Sequence, residues 1–236
     1  MLKKISKMKQ IMFTIIIIMT LLVNTSLIFF EDKIELIKIV YNSSADSTAY
    51  TIKANGLYII PADLYYTPSD EDANFYNAIL DCITEYNSKA PKPLFSGNII
   101  QDDSIIIETI PRDVDYKNEL VFGDLGETGT IAMANVWVTR LSRLIVDFDI
   151  VLNTHYNWGN LDDTSYESYF GEYIDTESII SHELGHGVGL GDLYENEYYW
   201  QTMYGYACWG ETWKRTLEEG DVAGLYVIYG TTVDSN

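Results

Sequence analysis

Apolar residues recur at helical spacing in some stretches of this chain and form short runs in others, and each pattern predicts an element. Phe75, Ile79, Cys82, Ile83 and Tyr86 share one helical face, with Asp70, Glu71 and Asp72 in the expected first turn and Ala90-Pro91-Lys92-Pro93 as the stop. Gly56–Ile60 reads as a short strand ended by Pro61, and Ser104–Ile110 as a buried strand ended by Pro111. The three glycines between Leu120 and Thr130 predict a loop, and Ile131–Val138 predicts a further strand. Leu144–Asn153 carries the strongest strand pattern: Asp147 and Asp149 alternate with Phe148 and Ile150, as on a strand with one wet face. Thr176–Gly187 predicts a helix with Asp175 or Thr176 as N-cap, and Leu217–Tyr229 a last helix opened by acidic residues. Strands, a helix, more strands and two closing helices make an α+β domain without internal repeats.

The N-terminus follows a different pattern. Ile11–Phe30 holds no charged residue over twenty positions and follows Lys3, Lys4, Lys7 and Lys9. A basic start and an apolar run predict a secretory signal or an uncleaved membrane anchor for residues 1–30, with the lysines cytoplasmic and the remainder outside. Residues 31–55 are polar at their centre and read as a linker or short pro-segment. The folded domain is expected over 56–236.

Composition narrows the partners. With 15 Lys+Arg against 35 Asp+Glu the net charge is −20, which excludes a basic nucleic-acid footprint and fits a well-solvated acidic surface. Two cysteines make no disulfide framework; Cys82 and Cys208 are either one bridge in an oxidising compartment or two buried thiols.

Residues 182–192 read HELGHGVGLGD. Positions i and i+4 share a helix face, so His182 and His186 can aim at one Zn²⁺, with Glu183 as general base toward the metal's water. Gly189, three residues after His186, can adopt positive φ, end the helix and turn the chain back. Asp192 then returns as a third ligand. Two imidazoles, a carboxylate and a water form an open, catalytic type of site. The remaining histidine, His155, has no second histidine near it and reads as a structural or surface residue, with substrate binding or a second ion as the alternatives.

HExxHxxGxx followed by a ligand resembles the metzincin clan of zinc endopeptidases, which carries a methionine-containing turn beneath the metal. Met203, in Thr202-Met203-Tyr204-Gly205, lies eleven residues past Asp192 and matches that turn. Tyr204 directly after Met203 makes the chain most similar to the matrixins. Leu217–Gly230 resembles their closing helix, and Phe75–Phe95 their first helix and its exit. The resemblance covers residues 56–230. It departs in three ways. Asp192 stands where most matrixins have histidine, although snapalysin-type enzymes also have aspartate. No cysteine-switch motif precedes the domain. Only His155 is spare for a second zinc site, so none is carried over.

The resemblance implies a twisted mixed sheet with an active-site helix and a C-terminal helix. It implies one catalytic zinc on His182, His186 and Asp192, with Glu183 as general base and Gly189 and Met203 supporting the site. It also implies a protein or peptide substrate lying along an edge strand, for which Leu144–Asn153 is the candidate, with an interior strand as the alternative reading of that stretch. The expected protein is an extracellular monomeric metalloendopeptidase, touching membrane only through an uncleaved N-terminus. Ca²⁺ is a further candidate at Asp70–Asp72, Asp102–Asp103 and Asp162–Asp163, none with EF-hand spacing; solvated turns are the alternative. Two rivals are a gluzincin-like hydrolase taking Glu218 or Glu219 as third ligand, and an exported binding or adhesion protein that keeps the fold without turnover.

Overall fold

The computed structural model describes residues 34–38, 50–69, 73–105, 113–161 and 172–230. The apolar stretch 11–30, Asp70–Asp72, most of the expected strand 104–110, and Asp162–Asp163 lie outside the described residues. The chain divides into units 1–34 and 35–236, and the fold below belongs to the second. Among the described residues no helix is long and apolar enough to cross a membrane.

Ten strands and three α-helices are described, so the domain is α+β with a mixed sheet. The strands are β1 (Ile34–Lys38), β2 (Thr51–Ile52), β3 (Ala62–Tyr66), β4 (Phe95–Gln101), β5 (Asn118–Gly123), β6 (Ala132–Thr139), β7 (Ile145–Asn153), β8 (Trp158–Gly159), β9 (Ile174–Asp175) and β10 (Leu190–Gly191). The helices are α1 (Phe75–Lys89), α2 (Thr176–Gly187) and α3 (Glu219–Tyr229). The main sheet has the order β1-β6-β7-β5-β3-β4. β4, β3, β5 and β7 run parallel to their neighbours, and β6 is antiparallel to β7. Helices α1 and α2 pack on each other, α1 against β4 and α2 against β6 and β7.

The helical pattern translates directly into burial. Phe75, Ala78, Ile79, Cys82, Ile83 and Tyr86 are the buried residues of α1, and its cap Ala90 precedes Pro91. They join Leu64, Leu120, Phe148, Ile150, Ile180 and Leu184 in one core between sheet and helices. Cys82 is buried and Cys208 exposed, and both are free thiols.

Four expectations change. Leu120–Gly123 is strand rather than loop: Leu120 and Val121 are buried in β5, and the turn begins only at Asp124. Gly56–Ile60 is not a ladder strand; Leu57 makes one bridge to Ile145, and β3 starts after Pro61, where the missing N–H costs nothing. Asp147 and Asp149 are buried, with 1% and 6% exposure, so β7 has no wet face. β7 is also interior, lying between β6 and β5, so Leu144–Asn153 is not the edge strand. Residues 31–55 include β1 and β2, and β2 pairs with β10.

Candidate metal centre

Helix α2 begins where the sequence places it. Asp175 caps it by accepting from Ser178 N–H at 2.9 Å. Arg215 clamps that cap, donating to both Asp175 carboxylate oxygens at 2.6 and 2.9 Å. The helix ends at Gly187, and Gly189 takes φ +106° while its N–H donates to the His186 carbonyl. A side chain is excluded there by the backbone conformation and by the Ala54 carbonyl, 3.0 Å from where its Cβ would sit. Lys53 N–H binds the Gly189 carbonyl at 2.8 Å, so the β2 segment holds the returning chain in place.

That turn brings Asp192 back to the helix. Its Oδ1 lies 3.2 Å from His182 Nε2 and 3.4 Å from His186 Nε2. His182, His186 and Asp192 form the group among the described residues able to hold a metal ion, with ligand atoms all within 4.8 Å of one another. The two Asp192–imidazole spacings are close to what a tetrahedral ion asks for, since bonds of about 2.0–2.1 Å place neighbouring ligands about 3.3 Å apart. The outward ring nitrogens are fixed as well. His182 Nδ1 lies 2.8 Å from the Thr202 carbonyl and His186 Nδ1 3.2 Å from the Leu190 carbonyl. Main-chain acceptors there favour the Nδ1–H tautomer and leave both Nε2 lone pairs facing Asp192. This donor set, two neutral imidazoles and one carboxylate at 6–13% exposure, suits zinc.

The charges are coupled. Burial works to lower the His186 pKa, but the adjacent Asp192 carboxylate outweighs it and raises it to about 9. Burial pushes Asp192 the other way, yet His186 and His182 hold its carboxyl far below the usual range. Glu183, on the same helix, is raised by burial against the pull of both histidines and of a backbone hydrogen bond from Ala134. His182, Glu183, His186 and Asp192 line a cleft of about 480 Å³ with Gly129–Ala134 of the β6 approach and with Tyr194, Tyr204, Tyr206 and Lys214 opposite.

Met203 is 1% exposed. Its sulfur occupies the space beside Gly185, between the two histidines in sequence, where any Cβ would collide with it. The turn is fastened to the ligand segment by Leu193 N–H to the Met203 carbonyl and Gly205 N–H to the Leu193 carbonyl, both 2.8 Å. Asp221 of α3, fully buried, accepts from Thr202 N–H at 2.8 Å, Met203 N–H at 3.1 Å and Glu218 N–H at 3.0 Å. Sequence reading missed Asp221; the carboxylate-rich opening of α3 was the available signal. It also missed Lys214, which is 1% exposed, donates to the carbonyls of Tyr204 and Tyr206, and lies 3.6 Å from Glu211.

The other nominated residues stand apart. His155 is exposed and edges against Tyr156. Glu218 is spent on the capping box of α3. Asp102 binds Lys117 Nζ at 2.7 Å, and that contact with the bonds from Ser104 lowers its pKa to about 2. Compared with models of known protein families and with curated proteins, the chain matches none.

Proposed function

We propose that this chain is an exported zinc-dependent endopeptidase of metzincin type, close to the matrixins, with aspartate as third ligand. The observation that carries the reading is Asp192 Oδ1 at 3.2 and 3.4 Å from two imidazole nitrogens, beside a buried glutamate in an open cleft. The Met203 turn beneath the histidine helix adds to it.

His182, His186 and Asp192 would hold the ion, which supplies Lewis acidity toward a carbonyl and toward water. Glu183 accepts the proton of the attacking water on its carboxylate and hands it to the leaving amine nitrogen. Its raised pKa brings it nearer to the working range for such a relay. The Thr202 and Leu190 carbonyls hold the rings in the ligating tautomer. The cleft wall from Gly129 to Ala134 offers main chain to an extended peptide.

The test is Glu183→Ala in the full chain. Metal content by plasma emission should match the parent, and peptide hydrolysis should fall at least about 100-fold. Hydrolysis surviving in purified variant, or a parent protein without transition metal from replete medium, defeats the reading. Export rests on residues 1–30 and is checked by fractionating expressing cells.

A further inference from the structure

The main chain from Val188 to Asp192 is held at every position by residues distant in sequence. The Val188 carbonyl accepts from Tyr229 Oη at 2.8 Å. The Gly189 carbonyl accepts from Lys53 N–H at 2.8 Å. Leu190 and Gly191 pair with Ile52 and Thr51 in the ladder between β10 and β2. The Asp192 carbonyl accepts from Thr51 Oγ1 at 3.2 Å, across 141 positions of sequence. Leu190 also carries the carbonyl beside His186 Nδ1, so this stretch meets two of the three candidate ligands.

The holding residues are fixed in turn. Tyr229 is buried; its Oη also accepts from Leu57 N–H at 3.0 Å, and its ring fills the space where a Cβ on Gly56 would stand. Gly56 takes φ +96°, so its conformation and its crowding both require glycine. Asn55 N–H donates to the Arg143 carbonyl at 2.8 Å, Asn55 Nδ2 to the Ser142 carbonyl at 2.7 Å, and Arg143 Nη2 to the Lys53 carbonyl at 2.9 Å. Residues 51–57 are thus fastened to the turn between β6 and β7 and to Tyr229 of α3. At Gly191 a Cβ would come within 2.5 Å of Thr51 Oγ1, so β2 and β10 lie in direct contact.

We propose that residues 51–57 and Tyr229 position the third ligand, with the hydroxyls of Thr51 and Tyr229 as positioning groups for the stretch that carries Asp192. The ion rests on the metal reading of His182, His186 and Asp192 above; hydrolysis is not assumed. A ligand on a free loop loses backbone freedom when it binds metal, and that entropic cost lowers affinity. A ligand whose backbone is already held by the fold does not bear it. His182 and His186 are ordered by α2, whereas Asp192 lies beyond the helix end at Gly187 and gains most from outside support. Zinc affinity is therefore governed in part by a segment far upstream of every ligand, and a cleavage that preserves the centre falls before Thr51.

The experiment uses the full chain. Zinc affinity is measured by chelator competition, and the visible absorption of the cobalt(II)-loaded protein reports the ligand set. Thr51→Val removes one hydroxyl at nearly constant size, and Tyr229→Phe removes the other. Each should weaken zinc binding about 10-fold and shift the cobalt bands. Thr51→Ser keeps the hydroxyl and should stay within about 2-fold of the parent. Thr67→Val is the control: it deletes a hydroxyl bond of the same kind, to the Asp102 carbonyl at 3.0 Å and outside the cleft lining, and should change neither readout. Parental affinity and bands in both Thr51→Val and Tyr229→Phe overturn the proposal, as does an equal loss in Thr67→Val; peptide hydrolysis by the parent then leaves the peptidase reading standing. Weaker zinc binding in the two variants, with Thr51→Ser at the parental level, in a protein that hydrolyses no peptide supports the proposal and removes the peptidase. A parent that binds no zinc removes both. Terminal sequencing of zinc-loaded protein from expressing cells adds an independent check: a first residue before Thr51 agrees with the proposal, and a zinc-replete chain beginning after Leu57 overturns it.

Discussion

Asp221 contacts none of the candidate ligands, yet it sets the position of one. Its carboxylate gathers the N–H groups of Thr202 and Met203, and the Thr202 carbonyl holds His182 Nδ1. Asp221→Asn keeps the size but turns one acceptor into a donor facing N–H groups. We expect a stability loss of about 1–3 kcal/mol by urea unfolding and roughly 10–100-fold weaker zinc affinity by chelator competition. Gly185 raises a packing question at the same scale. A methyl there has no room beside Met203. Gly185→Ala should cost about 1–3 kcal/mol, and Met203→Ala in the same chain should recover part of it, a coupling that a double-mutant cycle measures.

At the scale of elements, β7 shows how sheet position overrides an alternating pattern. Asp147 is buried on it, with Oδ2 accepting from Asp115 N–H at 2.9 Å and Tyr116 N–H at 3.0 Å. Burial raises its pKa from 3.8 to about 6 despite those bonds. A carboxyl raised on folding has the opposite sign from a salt-bridged one. Well below pH 3.8 it is neutral in both states. Between about 4 and 6 the unfolded chain ionises first, and stability falls as pH rises. Asp147→Asn retains an oxygen for the two N–H groups and removes the charge. Its stability relative to the parent should therefore increase from pH 4 to pH 7 by about 1–2 kcal/mol after solvent screening, then level off. Chemical unfolding at four pH values checks this.

Helix α2 shows the converse, a local signal that the fold preserves. Its ends, its Asp175 cap and the shared face of His182 and His186 are local consequences of the i, i+4 repeat and of one glycine. β4 had no such signal, because FSGNIIQ is mostly exposed and shows no alternation. β5 was obscured by Gly123 at its own end and by Gly126 and Gly129 of the turn following it.

For the whole molecule, the candidate centre joins α2 to the chain returning from it, which is fastened to β2 and to the Met203 turn. An ion held there ties these parts together and stabilises the fold by mass action. Zinc at about 1,000 times its dissociation constant should add about 4 kcal/mol, a rise in Tm of roughly 10 °C over the chelated protein. The sign with pH follows from His186. Without metal its pKa is raised to about 9, so the His186–Asp192 attraction contributes fully below about pH 6.5 and is lost as pH rises through 9. Metal must displace that proton, so its binding strengthens over the same interval. The gap in Tm between zinc-loaded and chelated protein should therefore widen from pH 6.5 to pH 9, and calorimetry on the two forms measures it.

The sequence by itself determined what depends on neighbours within a turn or two: the apolar face of α1, the span of α2, the turn at Gly189 and the return of Asp192 six residues after His186. Helical period and glycine geometry are local, so they survive in one dimension. Tertiary structure alone decided that β7 is interior, that Asp147 and Asp149 are buried, that Asp221 anchors the Met203 turn, and that β1 lies on the β6 edge. Each depends on which strand or helix becomes a neighbour, a choice made by sheet pairing and core packing between residues far apart in the chain.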